Sequence, residues 1–354
     1  MSYEDYRNEL KKKVENYARL NLLSNRQRSQ LLKLDFDACF LEDRVEKCLK
    51  SPDIKHLQKI LTPHFNSPSL AFKEIEDIER AVAIGDIIGS KYEFTEHNYT
   101  QINSEQLIAE KAFFTDDSVL SHATSFEIKQ HPRHPNFRKA YLHAYSQYPD
   151  AGYGATFVRW AQEFDISNRK GYGSYGNGSA MRVASIGCYY KNIKDVVKFA
   201  VKSAMVTHNH QDGIKGAAVT AVVIWMAKNG YTKEDIEKYA SRFYSFNGKD
   251  KEYLVHKEIY FDLCEPLDSA PTIPYASMFC NYAVPFAIKC FLETGGYKEC
   301  MSEILKHYGD ADTICAIAGG ICYAYYGDIN LSQEDINCVN EIIEKANFSS
   351  LAFK

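Results

Sequence analysis

The 354-residue sequence contains no apolar run approaching the ~18 residues that a membrane-spanning helix requires. Its longest candidate, Ala217 to Ala227, stops at Lys228-Asn229-Gly230. A soluble protein with no membrane partner is expected. The opening residues Met1-Ser2-Tyr3-Glu4-Asp5-Tyr6 lack the basic start and apolar stretch of a secretory signal, so a cytoplasmic location is expected. Positive charge is not in excess, with 42 Lys and Arg against 46 Asp and Glu. That balance gives no broad field to hold a phosphate backbone, and nucleic acid is not an expected partner. The 10 cysteines include no CxxC pair, which argues against a zinc ribbon or a disulfide framework. Cys290, Cys315 and Cys322 lie in apolar helical contexts and read as reduced, buried thiols. Repeats of fixed period, Rossmann or Walker glycine spacings and coiled-coil heptads are missing too, and a monomer is the expected state.

Alternating strand-like runs are scarce, whereas helical periodicity is widespread. Leu10, Val14, Ala18 and Leu22 recur at four-residue intervals in a charged N-terminal stretch. Pro63 and Pro68, with Asn66-Ser67 between them, break that pattern. We therefore expect a helical extension over residues 1–70 and a main domain over 71–354. From Phe72 to about Asp328 most long segments keep a helical period, as in Val196, Val197, Phe199, Ala200, Ser203 and Ala204. The Gly- and Tyr-rich stretch from Gly152 to Gly178 reads as a long functional loop. The expected fold class is all-α.

Two acidic clusters carry the sharpest chemical signal: Thr115-Asp116-Asp117-Ser118 and Asp310-Ala311-Asp312-Thr313, each just before an apolar helical run. Thr and Asp are common helix caps, so either cluster alone reads as an ordinary cap. Together they suggest a metal site, because several carboxylates gathered in a fold need protons or cations to offset their repulsion. Oxygen-only ligands favour magnesium or manganese over softer metals. Gly85-Asp86-Ile87-Ile88-Gly89-Ser90-Lys91-Tyr92-Glu93 begins as a small-residue helix whose glycines would permit close packing near a ligand, and leads to a carboxylate on a loop. Gly171 to Arg182 supplies a glycine-rich backbone whose amides can turn toward phosphate oxygens. His208 and His210 cannot share one helix face, so a turn is implied there, and His210 reads as a polar cap contact. Tyr141, Tyr145 and Tyr148 read as packing, and Lys11-Lys12-Lys13 as a solvated face.

In this order the segments resemble the ADP-ribosylglycohydrolases related to the dinitrogenase-reductase-activating glycohydrolase. Gly85-Asp86 to Glu93 is similar to that family's GDxxGxxxE, Thr115 to Ser118 to its TDD[ST], and Gly176 to Arg182 to its GNGxxMR. Thr207 to His210 resembles THxH and Asp310 to Thr313 resembles DxDT. The resemblance spans residues 75–328. Gln211, where a proline is common, and Tyr308-Gly309, where a double glycine is usual, depart from the pattern without removing a ligand.

The resemblance implies a compact multi-helix domain in which Thr115, Asp116, Asp117, Asp310, Asp312 and Thr313 hold two magnesium ions, with manganese an alternative. Glu93, Asp116 and Asp117 would be catalytic. Gly176, Asn177, Gly178 and His208 would contact the diphosphate and nearby ribose, and loop aromatics the adenine. The implied reaction is removal of ADP-ribose from a modified protein side chain, arginine first, serine behind it. A metal-dependent phosphoesterase is a weaker reading of the same residues. An alternative role is an immunity or regulatory protein that occludes an ADP-ribosyltransferase toxin through residues 1–70, with or without hydrolysis.

Overall fold

The computed structural model describes residues 73–95, 106–162, 171–245, 260–270, 274–307 and 309–346. The expected extension over residues 1–70, and with it the surface for a toxin, lies outside the described residues. Among the described residues the regular structure is helical: α1 Lys73–Gly89, α2 Asp116–Gln130, α3 Phe137–Gln147, α4 Ala155–Gln162, α5 Ala184–Tyr189 and α6 Ile193–Met205. There follow α7 Gln211–Lys228, α8 Lys233–Tyr244, α9 Cys280–Glu293, α10 Tyr297–Ile304, α11 Ala311–Tyr326 and α12 Gln333–Ala346. The all-α expectation holds. No described helix is long and apolar enough to cross a membrane.

Burial explains which helices lie at the centre. In α11 every residue from Ala311 to Cys322 is buried, and in α7 the run from Val219 to Ala227 is buried as well. A helix that is apolar on all sides has to be surrounded, and α11 packs on α1, α7, α9 and α10. In α6 the buried face is broad, taking in Ile193, Val196, Val197, Phe199, Ala200, Val201, Ser203 and Ala204, with the Asn192 side chain capping its start.

The most extensive pairing joins α1 to α11, and glycine permits it. A Cβ on Gly85 would lie 2.2 Å from the Cys315 carbonyl oxygen, and one on Gly89 would lie 2.4 Å from the Asp312 Cα. The two backbones touch where those side chains are missing. These glycines serve close helix-helix packing beside two of the acidic residues. The same contact brings Asp86 on α1 close to Asp312 on α11.

Two elements differ from expectation. The stretch from Gly152 to Gly178 contains α4, which buries Phe157 and Trp160 one helical turn apart. The flanking glycines concealed that short apolar period. Beyond Asp328 the chain forms α12, whose capping Ser332 accepts from Asp335 N at 3.0 Å. The Asp335 carboxylate also receives Ile108 N at 3.2 Å.

Inside α9, Pro285 has no N–H to give the Asn281 carbonyl, and Phe261 N donates to that carbonyl instead at 3.0 Å. Leu263 N donates to the Tyr244 carbonyl at the end of α8 at 3.0 Å. Cys290, Cys315 and Cys322 are free and buried, as expected.

Candidate metal centre and substrate site

The site is assembled from four chain segments. Thr115 caps α2, its side chain accepting from Asp117 N at 3.3 Å, which places Asp116 and Asp117 in the first turn with their carboxylates near the positive end of the helix. Asp310 occupies the same place on α11 but makes no side-chain cap bond. Its Oδ2 instead accepts from Asn177 Nδ2 at 3.0 Å, and its N–H donates to Ser277 Oγ at 2.9 Å. Both clusters therefore begin helices, as expected, and the second is released from capping.

Asp86, absent from the expected site, is the hub of the first cluster. Its carboxylate accepts from Thr115 N at 2.8 Å, Thr115 Oγ1 at 2.8 Å, Ser118 N at 3.0 Å and the Ser118 hydroxyl. From α1 it thus fastens the start of α2. The signal lay in its surroundings: residues 81–90 are all buried, and Asp86 is the one acid among them. A charge in such a stretch needs a purpose.

Carboxylate oxygens meet in two groups. Asp86, Asp117 and Asp312 form one, and Glu93, Asp310 and Asp312 the other, each with oxygens within 4.8 Å of one another. Asp312 belongs to both. The half-buried Asp116 belongs to neither. Asp117 Oδ2 accepts from Thr313 Oγ1 at 3.1 Å and faces Thr115 Oγ1 at 3.2 Å. Thr115 has a single hydroxyl hydrogen and stands closer to Asp86, so that contact leaves Asp117 short of a donor. The other oxygen, Asp117 Oδ1, is buried with no hydrogen-bond partner.

Burial raises these carboxyls before any neighbour acts. Asp86 is pushed up to about 6, against the lowering effect of its hydrogen bonds from Ser118 and Thr115. Glu93 rises to about 7 through burial, then through the charges of Asp310 and Asp86. Asp116 rises to about 8 through burial, then Asp86 and Asp310. Asp117 and Asp312 are held well above the usual carboxylate range by burial, with Asp86 and Asp310 respectively the next cause. Among the described residues no Lys or Arg pairs with Asp86, Asp117, Asp310 or Asp312. A buried, oxygen-only set with an orphaned carboxylate oxygen and no protein cation fits a hard divalent ion.

Glu93 sits just after α1, half-buried, its N–H on the Gly89 carbonyl at 3.1 Å. Phe94, next in the chain, adopts a left-handed φ of 46° and donates to the Gly309 carbonyl at 2.9 Å. That conformation is uncommon for a bulky residue, and it ties the Glu93 turn to the residue before Asp310.

The glycine-rich segment meets the acidic set at Asp310. Gly176 pairs with Phe279 in an antiparallel bridge, and Asn177 opens a short 3-10 turn, Asn177–Ser179. Asn177 Nδ2 reaches both Asp310 Oδ2 and the Ser277 carbonyl, each at 3.0 Å. Thus Asn177, expected to contact substrate, bonds a carboxylate of the acidic site. Gly178 lies against His208, a Cβ there falling 3.3 Å from the ring. His208 is buried between α6 and α7, while His210 caps α7 through its side chain, as expected for it. Beside the site, Tyr153 stacks on Phe157 at 4.9 Å with its hydroxyl buried and unpartnered, and Tyr175 stacks on Phe279 at 4.9 Å.

Residues 80–352 match the model of the ADP-ribosylglycohydrolase family. The human ADP-ribosylhydrolase ARH3 is 28% identical over 267 residues, covering 62% of this chain and 72% of the relative. A putative ADP-ribosyl glycohydrolase of Acanthamoeba polyphaga mimivirus is 24% identical over 282 residues, covering 69% and 84% respectively. A solved structure described as an ADP-ribosylglycohydrolase-related protein complex shares the fold, with a TM-score of 0.57 at 20% identity, over 80% of this chain and all of that one.

Proposed function

Since the chain belongs to the ADP-ribosylglycohydrolase family, we propose that it is a magnesium-dependent hydrolase that removes ADP-ribose from modified protein side chains, arginine first among them. The observation that carries this reading is the buried Asp117 Oδ1, which has no hydrogen-bond partner at the centre of a carboxylate set with no protein cation. Asp86, Asp117 and Asp312 would hold one ion and Glu93, Asp310 and Asp312 a second, with Thr115 and Thr313 supplying hydroxyls beside them. Manganese suits the same donors. When bound, such ions supply Lewis acidity toward ribose hydroxyls and water.

The remaining chemistry falls to the chain. Hydrolysis joins a water oxygen to the anomeric carbon, breaks the bond to the side-chain nitrogen or oxygen, and moves one proton to that leaving atom. Asp116 is raised to about 8 by burial and then by Asp86 and Asp310, and a cation bound beside it would favour the ionised carboxylate that can take a proton from water. Glu93, half-buried just after α1, would orient or protonate the leaving group when it is not holding the ion. The carboxylates also stabilise the positive charge that develops on the ribose ring. The Gly176 to Gly178 backbone, which meets this site at Asp310, and His208 against it mark where a diphosphate would lie. Substrate in this reading is an ADP-ribosylated protein, met by a monomer.

The test is release of ADP-ribose from an arginine-modified protein by the native chain, with magnesium and with chelator, beside Asp117→Asn and Asp312→Asn. Magnesium-dependent release that both substitutions abolish is the expected result. Failure of the native chain to release ADP-ribose from arginine-linked, serine-linked or free ADP-ribosyl compounds would overturn the proposal.

A further inference from the structure

Behind the glycine-rich segment lies a buried polar chain that the hydrolytic chemistry does not use. Arg182 is fully buried, its guanidinium 4.3 Å from the Tyr141 ring, and no carboxylate pairs with it among the described residues. Its Nη2 donates to the Ser203 carbonyl at 3.2 Å and to Thr207 Oγ1 at 2.8 Å. Thr207 Oγ1 in turn lies 2.7 Å from His208 Nδ1. Arginine can only donate, so Thr207 Oγ1 accepts from it, and the acceptor that the hydrogen bonds among the described residues offer the hydroxyl's own single hydrogen is His208 Nδ1.

We propose that Arg182 and Thr207 are positioning residues that fix His208 as the neutral tautomer with its proton on Nε2, so that it presents one permanent donor over the Gly176–Gly178 backbone. A Cβ on Gly176 or Gly178 would lie 3.7 Å and 3.3 Å from that nitrogen, so the glycines keep side chains away from it. A ligand oxygen carried on the loop has access where a side chain would stand. The ligand class is an oxygen-rich anion or sugar, which rests on the function proposed above, whereas the tautomer does not. Burial, and then the charge of Arg182, oppose a second proton on the ring, so His208 donates without becoming a cation.

The experiment is nitrogen-15 spectroscopy of histidine-labelled full-length protein, with the His208 signal assigned by its loss in His208→Gln. The shifts should show a protonated Nε2 and an unprotonated Nδ1. Thr207→Val should mix the tautomers and weaken binding of free ADP-ribose by roughly five- to tenfold, the worth of one oriented hydrogen bond, and Thr207→Ser should restore both. A proton on Nδ1 in the native protein overturns the proposal, as does a Thr207→Val variant with unchanged tautomer and affinity. If Thr207→Val does not fold, the native spectrum decides alone. Should the native chain show the Nε2 tautomer yet fail to bind ADP-ribose, the positioning role stands and the proposed function falls.

Discussion

The Thr313 hydroxyl donates to Asp117 Oδ2 at 3.1 Å, tying the first turn of α11 to the first turn of α2 beside the one Asp117 oxygen that has no partner. Two helix starts are held together by a carboxylate that is itself under-satisfied. On the proposed function a cation completes this centre, and its removal and restoration should be measurable in both activity and stability.

Asp117→Asn should cut hydrolysis on the order of a hundredfold or more, because one electrostatic partner of the reacting centre is lost. Magnesium should raise the melting temperature of the native chain and leave that of the variant almost unmoved. Scanning calorimetry with and without chelator reads both effects. A variant that still gains stability from magnesium like the native chain would contradict the assignment of Asp117 as a ligand.

Stability without metal should fall as pH rises. Asp86, Glu93 and Asp116 are raised to about 6, 7 and 8 in the folded chain, against roughly 4 when unfolded. Between those limits the folded state binds more protons than the unfolded one. The stabilising protons are present at acid pH and are lost as pH climbs through 6 to 8. Melts in chelator at pH 6 and pH 8 should show the lower temperature at pH 8, and magnesium should narrow the gap by taking the protons' place. An opposite slope would mean that the carboxylates are compensated by something else.

Gly85→Ala should destabilise the fold by about 3 kcal/mol or more, since a Cβ 2.2 Å from the Cys315 carbonyl oxygen has to push α1 and α11 apart. Magnesium affinity should fall with it, because Asp86 and Asp312 ride on those helices. Gly154→Ala is the control: nothing lies within 4 Å of its Cβ position. Denaturant titration and magnesium-dependent melts of the two variants give the comparison.

Lys233→Met should cost about 1 to 2 kcal/mol without altering turnover. Its ammonium reaches the Leu292 carbonyl at 3.1 Å at the end of α9 and lies 5.0 Å from the Phe291 ring. Urea unfolding should move while kcat does not.

Much of the centre was legible because its chemistry is local in the chain. Thr115-Asp116-Asp117 and Asp310-Ala311-Asp312-Thr313 each join cap, carboxylates and helix start within a few residues, so the pattern survives without a fold. Asp86 left a fainter trace, one acid in a small-residue helix, and its meaning came from Thr115 and Ser118 across 29 and 32 positions. Arg182, Thr207 and His208 were legible as members of two motifs, but the bond from Arg182 to Thr207 was not, since a buried guanidinium looks in sequence like any surface arginine. Helix α4 was hidden between glycines. Helix α12 was hidden for another reason: Ile336, Val339 and Ile343 do carry a helical period, but the motifs had ended before them.

The bond from Leu263 N to the Tyr244 carbonyl, together with Phe261 N on the carbonyl that Pro285 leaves unused, fastens residues 261–263 to the end of α8 and the first turn of α9. A proline inside a helix ordinarily only weakens it by removing a donor. Here the acceptor it leaves open is taken by a backbone donor from elsewhere in the chain, so the defect in α9 serves as a docking point for another segment.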